Sequence, residues 1–191
     1  MSNRTSPVGP GTDALVRSIA LIGMPGSGKS TLGILLAKKL GWDFLDTDIG
    51  IQTRAGETLQ QIVDDRGYMH LRSLEEQILL EVPLSQCVIA TGGSAIYSTA
   101  GMAYIKTMAT IIYLQVSVDQ LQRRIDDYGQ RGIARRPEQS FEDLYLEREP
   151  LYRQYADITV DCGEYSPQQM IKKLALALEG YANTARIDSA R

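Results

Sequence analysis

Several devices that hold small proteins together or fix their partners are scarce in this chain. Of its 191 residues only two are cysteine, Cys87 and Cys162, and one is histidine, His70. Neither a disulfide framework nor a ligand set of zinc-site spacing can be assembled from them. Cys87 opens an apolar run and reads as a core thiol rather than a reactive one. Positive charge is not in excess: 20 Lys and Arg against 23 Asp and Glu leave a net charge of −3. That excludes bulk attraction to nucleic acid or to an anionic membrane, so any bound anion must be held by local groups. No apolar run approaches transmembrane length. Residues 1–14 are rich in Ser, Pro, Gly and Thr and lack an apolar h-region. They predict a disordered tail rather than a signal peptide or anchor. The remaining composition, 43% hydrophobic and 23% charged, is that of an ordinary globular domain. The expectation is a cytoplasmic, monomeric protein with one domain over 15–181 and a frayed tail over 182–191.

What the chain does have is a complete phosphate-binding loop, Gly23-Met24-Pro25-Gly26-Ser27-Gly28-Lys29-Ser30. It satisfies G-x-x-x-x-G-K-[ST], with the apolar run Ile19-Ala20-Leu21-Ile22 before it and a helical stretch from Thr31 to Leu40 after it. Strand, glycine loop and helix N-terminus are the context that gives this motif its meaning. Backbone N–H groups of Gly26, Ser27, Gly28 and Thr31 can converge on phosphate oxygens, and the helix dipole adds positive potential. Lys29 would reach the β- and γ-phosphates, and the Ser30 hydroxyl would ligate Mg²⁺. The implied ligands are ATP and Mg²⁺.

Strand-like and helix-like segments alternate along the rest of the chain, without repeats. Asp43-Phe44-Leu45-Asp46 is a short strand ending in acid. Helices are expected at 58–65 and 68–81, the second with Leu71, Leu74 and Ile78 on one face. Cys87-Val88-Ile89-Ala90-Thr91 and Thr110-Ile111-Ile112-Tyr113-Leu114 are continuous apolar runs, as strands buried on both faces would be. A helix marked by Val118, Leu121 and Ile125 comes next. Residues 127–140 are polar, with Gly129, Gly132 and Pro137, and read as a mobile lid. A helix over 141–149 should stop at Pro150, a last strand spans 157–161, and a last helix spans 167–181. The pattern predicts an α/β fold, a parallel sheet with helices on both faces.

Beyond the loop, the apolar strand at 87–91 ends in Thr91-Gly92-Gly93, without the acid that often helps hold Mg²⁺. Carboxylates stand instead in Asp46-Thr47-Asp48, at a strand end where ligand crevices form. Asp46 is a candidate metal ligand and Asp48 a candidate for the acceptor hydroxyl; a helix N-cap is the alternative for the pair. Gly92 and Gly93 would let a substrate approach the backbone, or form a plain turn. Arg72, with Glu75 and Glu76 at i+3 and i+4, reads from spacing as an exposed helix ion pair. Arg148 lies four residues after Leu144 and four before Tyr152, on the stripe that should face the core. A charge there needs an anionic partner or ligand. Arg131, Arg135 and Arg136 belong to the polar segment, either as lid arginines that neutralise a transferring phosphate or as a solvated basic loop.

Taken together these residues resemble the shikimate kinase family, small phosphate-loop kinases similar to nucleoside monophosphate kinases. The likeness runs from residue 18 to 178. It rests on the phosphate loop, Asp46-Thr47-Asp48, Arg72 with Glu75, Gly92-Gly93, Arg136-Pro137, Arg148-Glu149-Pro150-Leu151-Tyr152 and Ala156-Asp157. It implies a five-stranded sheet of order 2-3-1-4-5 and ATP- and Mg²⁺-dependent phosphorylation of a small hydroxylated carboxylic acid, shikimate to shikimate 3-phosphate. By that resemblance Asp48, Arg72, Gly92, Gly93 and Arg148 hold the acceptor, and Asp48 sits beside its attacking hydroxyl. Arg136 is the lid arginine and Arg124 stacks on adenine. The chain departs from the pattern at Ser94, where the family has a third glycine, and at Tyr68, where it has an acid. It departs again at Glu138-Gln139 after Arg-Pro and in a shorter interval from lid to Arg148, which leaves Arg131 as the other lid candidate. Homoserine or a sugar acid such as gluconate is the alternative acceptor, and a non-catalytic nucleotide-binding module the alternative class.

Overall fold

The computed structural model describes residues 18–82, 85–124 and 132–189. The 1–14 tail expectation, the first part of the 127–140 segment and Arg131 lie outside the described residues. Strand β1 (Ser18–Ile22) leads into helix α1 (Lys29–Leu40), then β2 (Asp43–Asp46) and three helices, α2 (Thr47–Ala55), α3 (Leu59–Arg66) and α4 (Tyr68–Leu80). Strand β3 (Cys87–Ala90) is followed by a 3₁₀ turn (Ala95–Tyr97), α5 (Thr99–Met108), β4 (Ala109–Gln115) and α6 (Val118–Arg124). Helix α7 (Phe141–Tyr155), β5 (Ile158–Asp161) and α8 (Pro167–Ser189) complete the order.

All strands pair in parallel, in the order β2-β3-β1-β4-β5. Helices cover both faces, so the inner strands carry no polar face. Every residue of β1 and β3 is buried, as are all but the last of β4. The edge strands β2 and β5 are more exposed and carry Asp43, Asp46 and Asp161. The main apolar core runs along the sheet through Ile19, Leu21, Ile89, Ile111 and Leu114. A second, smaller cluster of Ile51, Ile62, Leu71, Ile78 and Ala134 sits under α2, α3 and α4. It ties the segment after residue 131 to that helical group.

Three features differ from the sequence expectation. Helix α7 does not stop at Pro150 but continues to Tyr155. An interior proline costs about 3 kcal/mol. Here the continued turn buries Tyr152 completely, stacks it on Tyr113 at 5.1 Å and lets its hydroxyl donate to Gly93 O at 2.6 Å. Helix α8 runs to Ser189 through most of the expected 182–191 tail, because that stretch contains neither Gly nor Pro after Gly180. The 127–140 segment, expected to be mobile, is packed down where it is described. Ile133 and Ala134 are buried, and Gly132 N donates to Gln60 Oε1 at 2.8 Å. Helix α2 has no sequence signal of its own beyond its cap, since only Thr47 and Ile51 are buried in it.

Candidate active site

The C-terminal ends of β1, β2 and β3 point their loops into one cleft of about 470 Å³. One wall is the phosphate loop: Pro25, Gly26, Gly28, Lys29, Ser30 and Thr31. The other is built from Asp48, Ile51, Leu59, Leu71 and Glu75, with Gly93, Ser94, Ile133, Ala134 and Arg148. Arg124 stands at the margin of the cleft. Phosphate-binding and acceptor-binding candidates thus face each other across a single space, the requirement for direct transfer between two bound molecules.

On the loop wall, Lys29 Nζ donates to Gly23 O at 2.8 Å and to Met24 O at 2.9 Å. Burial lowers its pKa to about 8, and the Asp48 carboxylate opposite pulls it back upward. An anion arriving in the loop would favour the charged form, so phosphate binding and lysine protonation reinforce each other. Ser27 is buried within the loop, and its N–H donates to Met24 O at 3.1 Å.

Asp46 caps α2: its Oδ1 accepts from Asp48 N at 3.0 Å and Ile49 N at 3.4 Å. That cap turns the chain so that Asp48 enters the cleft from the first turn of the helix. Burial pushes the Asp48 carboxyl up to about 6, against the pull of Lys29. Of the two Mg²⁺ candidates expected from the sequence, Ser30 lines the cleft, while Asp46 spends its Oδ1 on the α2 cap. The described residues hold no group of three His, Cys, Asp or Glu side chains that would cage an ion. A hydroxyl and one carboxylate suit Mg²⁺, which keeps waters and takes its remaining ligands from substrate phosphates.

Arg148 is 1% exposed and lies on the buried Leu144, Arg148, Tyr152 stripe of α7, a helix opened by a Ser140–Asp143 capping box. Its Nη2 donates to Ala134 O at 2.7 Å and its Nε to Tyr97 OH at 3.4 Å. Arg72 comes from α4 onto the same tyrosine, its guanidinium carbon 3.6 Å from the ring centroid. Its Nη2 also reaches Ala134 O, at 3.5 Å. The exposed ion pair expected from spacing is therefore not what Arg72 forms. Two guanidinium groups converge on one backbone oxygen, in the arrangement a carboxylate oxygen would take.

The residue that sequence reasoning placed wrongly is Glu75. Read as a helix-surface partner of Arg72, it is 3% exposed and faces Asp48, Ser94 and Gly92. Burial, with the Asp48 charge beside it, pushes its carboxyl up to about 7. The signal was present: Glu75 is four residues after Leu71 and three before Ile78, on the same apolar stripe logic that singled out Arg148. A Cβ on Gly92 would collide with Glu75 Oε1 and lie 2.7 Å from Asp48 Oδ1, so a larger residue there would displace these two carboxyls. Gly93 packs under Arg148, with room of only 3.0 Å from a Cβ to its Nη1.

The expected lid residue Arg136 is not brought into the cleft. Arg136 turns away to Glu147, at 2.8 Å. Glu147 also accepts from Tyr97 OH and Gln139 Nε2, and Tyr97 above all holds its carboxyl below the usual range. Arg135 donates to Gln139 O. Arg124 uses its guanidinium to bind Cys162 O at 3.1 Å and Gly163 O at 2.8 Å, which fixes it beside the loop after β5.

The chain is similar to proteins of known activity along most of its length. The family model described as shikimate kinase matches residues 25–179. The chain is 37% identical over 171 residues to a shikimate kinase of Nitrosospira multiformis, covering 88% of each chain. It is 38% identical over 162 residues to one of Histophilus somni, covering 83% of this chain and 93% of the relative. Among solved structures it is similar to shikimate kinase from Acinetobacter baumannii in complex with shikimate, with TM-score 0.72 and 29% identity. That match covers 84% of this chain and 91% of the other.

Proposed function

The chain belongs to the shikimate kinase family, and from that premise we propose that its cleft transfers the γ-phosphoryl group of ATP to a hydroxyl of shikimate, giving shikimate 3-phosphate and ADP. The observation that carries the reading is the single cleft in which the phosphate loop faces a carboxyl, Asp48, and a buried arginine, Arg148.

In this reading the loop residues Gly26, Ser27, Gly28 and Thr31 cradle the phosphates through their N–H groups. Lys29 exchanges the carbonyls of Gly23 and Met24 for the β- and γ-phosphate oxygens. Ser30 and Asp46 would hold Mg²⁺, which would supply charge neutralisation for the transferring phosphate. Arg148 and Arg72 take the acceptor carboxylate in place of Ala134 O, and Gly92 and Gly93 let the ring approach the backbone. Asp48 aligns the attacking hydroxyl and accepts its proton, for which a carboxyl near pKa 6 is largely ionised at neutral pH. A bond forms from that oxygen to the γ-phosphorus as the bond from phosphorus to the β–γ bridging oxygen breaks, and ADP leaves. The transition state is loose, so positioning and charge stabilisation supply the rate.

The lid charge comes from Arg136 once it exchanges Glu147 for phosphate, or from Arg131 on the same segment; single alanine variants of each assign it by the larger loss of kcat. Arg124, anchored beside the loop after β5, borders the adenine site. The reading carries a cytoplasmic monomer, since both substrates are small dissolved anions and one chain supplies both walls of the cleft. The direct test is ³¹P NMR of the product after incubation with ATP, Mg²⁺ and shikimate. A new phosphomonoester resonance coupled to the C3 proton is expected; inorganic phosphate alone would contradict the assignment.

A further inference from the structure

Arg72 and Arg148 bring two positive charges to one backbone oxygen, Ala134 O, at 3.5 Å and 2.7 Å. Arg148 is buried and Arg72 half-buried, yet among the described residues neither forms an ion pair with a carboxylate. What they share instead is Tyr97, the last residue of the 3₁₀ turn Ala95–Tyr97. Its ring lies 3.6 Å from the Arg72 guanidinium carbon, and its hydroxyl accepts from Arg148 Nε at 3.4 Å. The same hydroxyl donates to Glu147 Oε1, a bond that fixes where the ring sits. Glu147 Oε2 is already taken by Arg136 and Gln139, each at 2.8 Å. A second neutral ring, that of Tyr68, stands 5.1 Å from Arg72. Tyr97 itself lies behind the cleft wall and does not line it.

Two guanidinium groups this close repel each other, and burial removes much of the water that would screen them. Burial lowers the Arg72 pKa, and the Arg148 charge acts in the same direction. A carboxylate at position 97 would relieve the repulsion, but it would also cancel the charge that an anionic ligand needs. An aliphatic side chain would leave the Arg72 guanidinium with nothing to rest on. A tyrosine ring holds a guanidinium through its quadrupole and adds no net charge. We infer that Tyr97 is a positioning residue whose ring holds Arg72 beside Arg148 as an uncompensated pair, open to one carboxylate. This rests on the phosphoryl-transfer reading above and adds to it a residue from outside the cleft. Tyr97 touches neither the acceptor nor the reacting atoms; it acts through the two arginines.

The test is calorimetric titration of the wild type, Tyr97→Phe and Tyr97→Leu with two ligands. These are shikimate and its primary amide, which has nearly the same shape and no charge. Hydrogen bonds from guanidinium groups to a carboxylate correspond to roughly 10- to 100-fold in affinity, so the wild type should prefer shikimate by that factor. In Tyr97→Leu the preference should fall to within about threefold, through weaker shikimate binding with affinity for the amide unchanged. Tyr97→Phe keeps the ring and loses only the long hydroxyl bond, so its preference should stay within about threefold of the wild type. An equal loss with both ligands in Tyr97→Leu, an unchanged preference there, or a phenylalanine variant as indifferent as the leucine one overturns the inference. A second readout needs no ligand. The ring current of residue 97 should hold the Arg72 side-chain protons upfield in the wild type and Tyr97→Phe, but not in Tyr97→Leu. Arg72 protons at one position in all three proteins overturn the inference as well. Turnover then separates it from the function itself. A wild type that prefers the carboxylate but does not phosphorylate shikimate refutes the proposed function and supports the inference. A wild type that phosphorylates shikimate but binds its amide equally well refutes the inference alone.

Discussion

Replacing Glu75 by Gln should make the protein more stable at alkaline pH while impairing its chemistry. Glu75 is buried, one of its oxygens lacks a partner, and burial with the neighbouring Asp48 charge raises its pKa from 4.5 to about 7. Because the folded-state pKa lies above the unfolded one, the folded protein binds more protons between these two values. Its stability therefore falls as pH rises from 4.5 through 7. The gap corresponds to about 3 kcal/mol, fully expressed at pH 8 and reduced to under about 1 kcal/mol at pH 5. Glutamine has nearly the same shape and does not ionise, so it escapes this cost. Urea unfolding of both proteins at pH 5 and pH 8 reads the difference directly. The variant should gain about 3 kcal/mol on the wild type at pH 8 and little at pH 5. A difference of the same size at both pH values, or a variant less stable at pH 8, would refute the argument that the buried carboxyl carries this cost.

Three further perturbations probe other parts of the cleft. Lys29→Ala should lower kcat by at least roughly 10³-fold, measured by coupled ADP release; substantial residual turnover would contradict the loop assignment. Arg148→Ala should lower kcat/KM for the acceptor by roughly 10- to 100-fold, with affinity for a non-hydrolysable ATP analogue nearly unchanged by calorimetry. An equal loss of nucleotide binding would place Arg148 outside the acceptor pocket. Gly132→Ala should raise the acceptor KM and lower the melting temperature. Gly132 has φ +57°, and its Cβ would collide with the Leu59 backbone and lie 2.5 Å from Gln60 N. That lifts Ile133 and Ala134 from the acceptor wall; unchanged kinetics and stability would show that the segment is not held there.

The sheet and its loop were legible because their signals are local. Continuous apolar runs at 19–22, 87–91 and 110–114 announce strands buried on both faces, and the glycine loop after the first run marks the start of a helix. Arg148 was legible for a related reason: a charge on an apolar stripe points at its own pocket. The same logic would have found Glu75, but the Arg72 three residues earlier offered a surface ion pair that explained it too readily. Arg72 itself is held by Tyr97, distant in sequence, and no helix periodicity reports such a cross-element contact. Pro150 shows the converse failure. Its local preference to end the helix is overridden by burial of Tyr152 within the next turn, an energy that exists only once the sheet is assembled. The packing of Ile133 and Ala134 against their neighbours is likewise tertiary, and polar composition around them hid it.

The central claim is that one cleft joins the phosphate loop to an acceptor pocket built for a hydroxylated carboxylic acid. Coupled ADP release with shikimate, homoserine and gluconate side by side tests it most directly. The account predicts Mg²⁺-dependent turnover with shikimate and near-background rates with the other two. Turnover with homoserine or gluconate but not shikimate, or ATP binding without turnover of any acceptor, would contradict it.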